Sequence, residues 1–261
     1  GNGHNDGNSR YMATYGAKIE GASYADVVWE ATFDGDKTRS CDVIDSEPIY
    51  DAHNGTICFS TGKSEGNALI TIHNGAGEIL WSWHIWVTNN DPVATENTIT
   101  LNGETLMNFN LGAECNSNGS TDGTTIFNSY GLYYQWGRKD PFMGSCAMSG
   151  TTFAATTGSW DVASSNNMDF AVENPMTFAT EWYGGSVAGE GWHTSESEKG
   201  LYDPCPVGYR LPDGGDNGFW ATANVKSLGG TTNRGIYWTL ADGETKAWYP
   251  CAGSRDLDSG A

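Results

Sequence analysis

Residues 67–87, NALITIHNGAGEILWSWHIWV, constrain the fold more than any other stretch. Ala68, Ile70 and Ile72 alternate with Leu69, Thr71 and His73. After a Gly/Asn turn, Ile79, Trp81, Trp83, Ile85 and Val87 alternate with Leu80, Ser82, His84, Trp86 and Thr88. A period of two is the signature of a strand, and Asn-Gly between two such runs predicts a β-hairpin. The rings of Trp81 and Trp83 are explained by the alternation as core, not as a sugar platform. His84, on the less apolar face, is expected to make an ordinary hydrogen bond and not to serve in catalysis or metal binding.

Upstream, DVVWEATF places Val27, Trp29 and Ala31 opposite Val28, Glu30 and Thr32. TICFSTG adds a further short run. Period-2 segments separated by Gly, Asn and Asp turns predict a small β-sandwich of immunoglobulin-like type over residues 1–92. The stretch TNNDPVATENT has Pro, polar residues and no periodicity, and reads as a boundary. Residues 93–261 form a second domain of short regular elements and many turns. The whole is expected to be mostly β, with an α+β second domain. The 35 glycines support turns and ordered loops. Aromatic residues at 12% supply a core despite few aliphatics.

With 13 Lys and Arg against 32 Asp and Glu, the formal net charge is −19. That excludes the basic footprint of nucleic-acid binding and disfavours docking on anionic lipid. No apolar run approaches the ~20 residues of a membrane span. Cys41, Cys58, Cys115, Cys146, Cys205 and Cys251 contain no C-x-x-C pair, so zinc ribbons and thioredoxin-type redox sites are unsupported. The simplest pairing is sequential, Cys41–Cys58, Cys115–Cys146 and Cys205–Cys251, with buried thiols as the alternative.

GLYYQWGRKDPF, residues 131–142, sets an Arg-Lys pair inside an aromatic cluster. Alternation would send Tyr134 and Trp136 to one side, with Gly137 breaking the strand. Arg138 or Lys139 can then stack on a ring or pair with Asp140. A guanidinium fork suits the cross-linking of loop carbonyls, so these cations are read as structural ties. In YDPCPVGYRLP the prolines exclude helix, Arg210 anchors a loop, and Cys205 takes a bridge or core role. Cys251 stands equally isolated. EWYGGSVAGEGWH offers Trp182, Tyr183 and Trp192 in a Gly-rich loop, and these are the candidate ligand contacts.

Four blocks carry a resemblance: NFNLGA, GLYYQWGRKDPF, LYDPCPVGYRLP and YWTLADGETKAWYPCAGSRD. In this order they resemble the FISUMP-type major paralogous domain of bacterial surface proteins. Residues 66–88 are similar to a segment that precedes that domain in fimbrillin-family surface lipoproteins. The resemblance implies a C-type-lectin-like second domain, remotely similar to formylglycine-generating enzymes. It also implies an outer-membrane or extracellular location with a lipid anchor in the precursor. Two departures stand out. Asn108 and Phe109 replace the family's Asp-Arg, and the final strand expected after AGSRD is missing, so the second domain is expected to be short at its C-terminus. The lectin calcium motifs are not reproduced, since Glu173-Asn174-Pro175 has a different order, so no cofactor is expected and calcium lacks a motif. The expected function is that of a non-enzymatic adhesin or recognition module, contacting glycan or protein through second-domain loops. The alternatives are a structural pilus assembly subunit and an enzyme of the formylglycine-generating or glycosidase kind.

Overall fold

The computed structural model describes residues 19–33, 43–101, 103–143, 147–149, 152–154, 161–165, 167–180, 192, 199–214, 218–219, 224–228, 235–239 and 246–254. They are mostly β. The strands are β1 (Ala22–Thr32), β2 (Ile49–Asp51), β3 (Thr56–Cys58), β4 (Gly66–Asn74), β5 (Ile79–Val87), β6 (Thr98–Leu101) and β7 (Glu104–Met107). After helix α1 (Gly123–Asn128) come β8 (Ala147–Ser149), β9 (Thr152–Ala154) and β10 (Asp161–Ala163). Helix α2 (Met168–Glu173) precedes β11 (Thr177–Ala179), β12 (Asn224–Leu228), β13 (Gly235–Thr239) and β14 (Lys246–Pro250). Among the described residues no helix is long and apolar enough to cross a membrane.

The main sheet is antiparallel, in the order β1-β4-β5. The β4–β5 hairpin is the one the alternation predicts. Its turn is closed by Asn74, whose Oδ1 accepts from the amides of Ala76 (2.9 Å) and Glu78 (3.0 Å). Gly77 takes the left-handed φ of 90° that the turn requires. A β-hairpin also joins β6 to β7, and β12-β13-β14 form an antiparallel meander. β10 and β11 pair in parallel, with α2 between them.

Strand β4 is buried on both faces from Gly66 to Ile72, which simple alternation does not foresee. On one face Ala68 and Ile70 pack with Val43 and Ile44, flanked by Val27, Ile57, Phe59, Ile85 and Val87. On the other, Leu69 packs with Trp29 and Ala31, flanked by Leu132, Met143 and Met176. The second core is therefore built jointly by the sheet and by chain beyond residue 130. Full burial of Leu69 or Ile70 contributes about 1.5–3 kcal/mol each.

Val27, Trp29 and Ala31 do not share one face. The register slips between Val27 and Trp29, leaving Val28 as the extra residue of a bulge. One inserted residue reverses the parity of everything after it. Val27 thus faces the first core, while Trp29 and Ala31 face the second. Glu30 then reaches the segment at residues 43–44, and its Oε2 accepts from the amides of Val43 (3.1 Å) and Ile44 (3.0 Å).

Gly112 marks a tight contact between the halves. Its φ is +77°, and a Cβ there would stand 2.6 Å from Leu132 Cγ and Cδ1, and 3.1 Å from Asn67 Oδ1. Gly112→Ala is expected to lower stability by about 2–4 kcal/mol, from the left-handed backbone plus overpacking. Urea unfolding of the purified variant checks this, and a loss within experimental error would show that Leu132 yields freely.

Candidate functional site

β5 has one hydrogen-bonded neighbour, β4, among the described residues. Along its other side runs a groove of about 1030 Å³. The walls come from both halves: Phe59 to Thr61 on one side, Lys139 and Asp140 on another, and residues 204–207 on a third. The lining is mixed, with Ile85, Val87, Val207 and three prolines beside Ser82, His84 and Asp91.

One end of the exposed strand is plugged. Ser82, Lys139 and Asp140 are all buried. Lys139 Nζ donates to the Ser82 carbonyl at 3.1 Å and to both Asp140 carboxylate oxygens at 2.6 and 2.7 Å. It also bonds Ser82 Oγ, and that hydroxyl lies 2.8 Å from each Asp140 oxygen. The same ammonium stands 4.6 Å from the centre of the Trp81 ring. Burial lowers the Lys139 pKa, and the adjacent Asp140 opposes that shift. A lysine on an edge strand blunts its tendency to pair with another chain, and here it occupies a main-chain acceptor directly. Because the Ser82 carbonyl turns to Lys139 and not to β4, the outward-facing backbone groups of β5 are those of alternate residues from Ser82 on. His84, Trp86 and Thr88 continue that series.

His84 sits next to the plug. Its Nε2 lies 2.8 Å from Asn67 Oδ1, and Asn67 Nδ2 donates to the Gly112 carbonyl at 2.8 Å. The second bond fixes which way the Asn67 amide points. Oδ1 can only accept, so Nε2 carries the proton and donates. Burial holds the His84 pKa down at about 4, against a smaller upward pull from Asp140. A lowered folded pKa means the unfolded chain binds the proton more readily between about 4 and 6.5. Stability from this group is fully present above about 6.5 and is lost as the pH falls toward 4, about 3 kcal/mol in all. His84→Gln is therefore expected to remove part of the acid sensitivity. Urea unfolding of both proteins near pH 7 and near pH 4 measures the difference, and parallel losses in the two would refute it.

The wall at residues 204–207 is held by Asp203, which is fully buried. Its Oδ1 accepts from Lys199 Nζ (2.7 Å) and the Cys205 amide (2.8 Å), and Oδ2 from the Leu211 amide (2.7 Å). Arg138, next to Lys139 in the chain, turns away from the groove toward α2 and β11. It is 1% exposed and donates to the carbonyls of Thr177 (2.7 Å), Asn174 (3.0 Å) and Ala171 (3.4 Å), and to Gln135 Oε1 (3.1 Å). Its guanidinium carbon lies 5.0 Å from the centre of the Phe142 ring.

The residues singled out in the sequence fall as follows. Trp182 and Tyr183 lie outside the described residues. Trp192 is only 8% exposed, donates its indole N–H to the Arg138 carbonyl at 2.9 Å, and packs 4.9 Å from Trp136. It is a core ring, not a displayed contact. Trp136 is 44% exposed, whereas Tyr134 buries its hydroxyl, so the two do not share an inward face. The reason is local: residues 136–137 form a turn, and strand pairing here is limited to the Tyr133–Phe142 bridge. Arg210 grips Asp213 with both arms, at 2.7 and 3.3 Å. Cys58, Cys115, Cys205 and Cys251 are thiols, which corrects the sequential pairing; Cys41 and Cys146 lie outside the described residues. Burial pushes the Cys115 thiol up to about 11 and raises Cys205 as well, so neither is poised as a thiolate. Among the described residues no group of three His, Cys, Asp or Glu could hold a metal ion.

The site that emerges was missed at its centre. Ser82 and Asn67 carry no sequence signal, because their roles depend on a neighbour some 60 positions away in the chain for one (Asp140) and 45 for the other (Gly112). Compared with protein-family models, with curated proteins and with solved structures, the chain matches none.

Proposed function

We propose that the protein is a non-enzymatic cell-surface recognition module whose partner enters as an extended segment laid along β5. One observation carries the reading: a long apolar strand, paired on one side among the described residues, borders a groove shaped by both halves of the chain. Strand addition draws affinity from main-chain hydrogen bonds and specificity from alternate side chains in pockets. The Lys139 plug limits such pairing to the stretch beyond Ser82 and so sets a register. The contact surface is thus moved from the loops around Trp182 to the junction of the halves. An immunoglobulin-like first unit, a C-type-lectin-like second unit, and an exported, lipid-anchored setting are the proposals that the sequence resemblance adds. The open edge equally favours an assembly role, in which the segment is a strand of a neighbouring subunit.

The test is a displayed library of random peptides long enough to pair with one strand. Binders are expected to slow amide exchange at His84 and Trp86. Thr88→Pro, which removes one outward N–H at the strand end, is expected to weaken them roughly 5- to 10-fold. Binders that leave those amides unprotected, or no binders at all, would defeat the proposal.

A further inference from the structure

His84 lines the groove two residues along β5 from Ser82, whose carbonyl Lys139 occupies. Its Nε2–H is committed to Asn67, which is itself held by Gly112. In that tautomer Nδ1 bears a lone pair. Nothing among the described residues donates to Nδ1, and it is not one of the polar atoms sealed from solvent. The neighbouring polar groups are already engaged: both Asp140 oxygens receive Ser82 and Lys139, and the Lys139 ammonium is spent on them and on the Ser82 carbonyl. Much of the remaining wall of the groove is apolar, with Ile85, Pro204, Pro206 and Val207.

We infer that His84 is the specificity-determining residue of the groove, accepting at Nδ1 a hydrogen bond from a side chain of the bound segment. The inference rests on the reading that the groove takes an extended peptide. The ring stays uncharged at neutral pH because burial holds its pKa at about 4, so it presents an acceptor there and not a cation. The matching side chain is a hydroxyl or a carboxamide: serine, threonine, asparagine or glutamine. An ammonium would have to give up its hydration with no free carboxylate to meet it, since both Asp140 oxygens are taken, and an apolar side chain would leave Nδ1 desolvated and unpaired. A site built to bond a donor rejects the analogue that lacks it more strongly than an apolar pocket rejects a missing methylene.

The experiment uses peptides selected from the random library on the full chain. Binders are expected to share a hydroxyl or carboxamide residue at one position. Changing that residue to alanine should weaken binding to the native protein roughly 5- to 10-fold, and should change binding to His84→Phe little. A readout on the native protein alone guards against misfolding of the variant. With nitrogen-15-labelled histidine, the Nδ1 resonance of His84 should shift on adding the selected peptide and not on adding its alanine analogue. Equal binding of both peptides with His84 and Trp86 amides protected would overturn the inference and leave the groove reading standing. An absence of any peptide that protects those amides would overturn both.

Discussion

Arg138→Met is expected to lower stability by about 3–5 kcal/mol, one of the two largest losses anticipated for a single change in this chain. The side chain is 1% exposed and donates to three carbonyls and a carboxamide. Those acceptors belong to the end of α2, the start of β11 and the turn at residue 135, so one guanidinium ties three segments together. Methionine fills much of the volume but leaves the carbonyls dry, and an unsatisfied buried acceptor costs about 1–3 kcal/mol. Burial lowers the Arg138 pKa to about 10, with Asp140 pulling the other way, so the group remains charged at neutral pH. Arg138→Lys should recover little, because an ammonium cannot span acceptors set out for a planar fork. Equilibrium urea unfolding decides the matter. A loss below about 1 kcal/mol would mean that water enters and satisfies the carbonyls.

Asp203→Ala should be comparably severe, about 3–5 kcal/mol. The carboxylate is fully buried and takes Lys199 together with the amides of Cys205 and Leu211. Alanine strips two amides of their acceptor and removes the carboxylate from a lysine side chain that is 4% exposed. Breaking a buried pair on one side is worse than removing it whole. Lys199→Met combined with Asp203→Leu is therefore expected to be more stable than Asp203→Ala alone by about 2 kcal/mol. A double variant no better than the single would show that the amides, and not the ammonium, carry the loss. Because this carboxylate shapes residues 204–207, Asp203→Ala should also abolish peptide protection of β5.

The β4–β5 hairpin was legible because its alternation is long and its turn residues are specific. Its edge status was not, since no local pattern records whether a third strand arrives on the far side. The bulge at Val28 was hidden for a related reason: a run of Val-Val-Trp fits either parity. Burial of β4 on both faces depends on what lies over the sheet, and Leu132, Met143 and Met176 are distant in sequence. In the DPCP block the prolines are readable as helix breakers, while the buried role of Asp203 is not. Its bond to the amide two residues on is a local Asx geometry, and that spacing was the available signal. The Arg-Lys-Asp triplet reads as a tie between loops and rings. Which cation took which job could not be read, because Arg138 turns toward α2 and Lys139 toward β5.

The second core has an implication for descent. Leu69, on the sheet, shares that core with Leu132 and Met176, and the Lys139 ammonium ends on a carbonyl of β5. A recombination event that exchanged either half for an unrelated module would leave apolar surface wet and a buried charge stranded. Ancestral lineages of this chain are thus expected to have inherited the two halves as a single heritable block, with substitutions on one side of the junction compensated on the other.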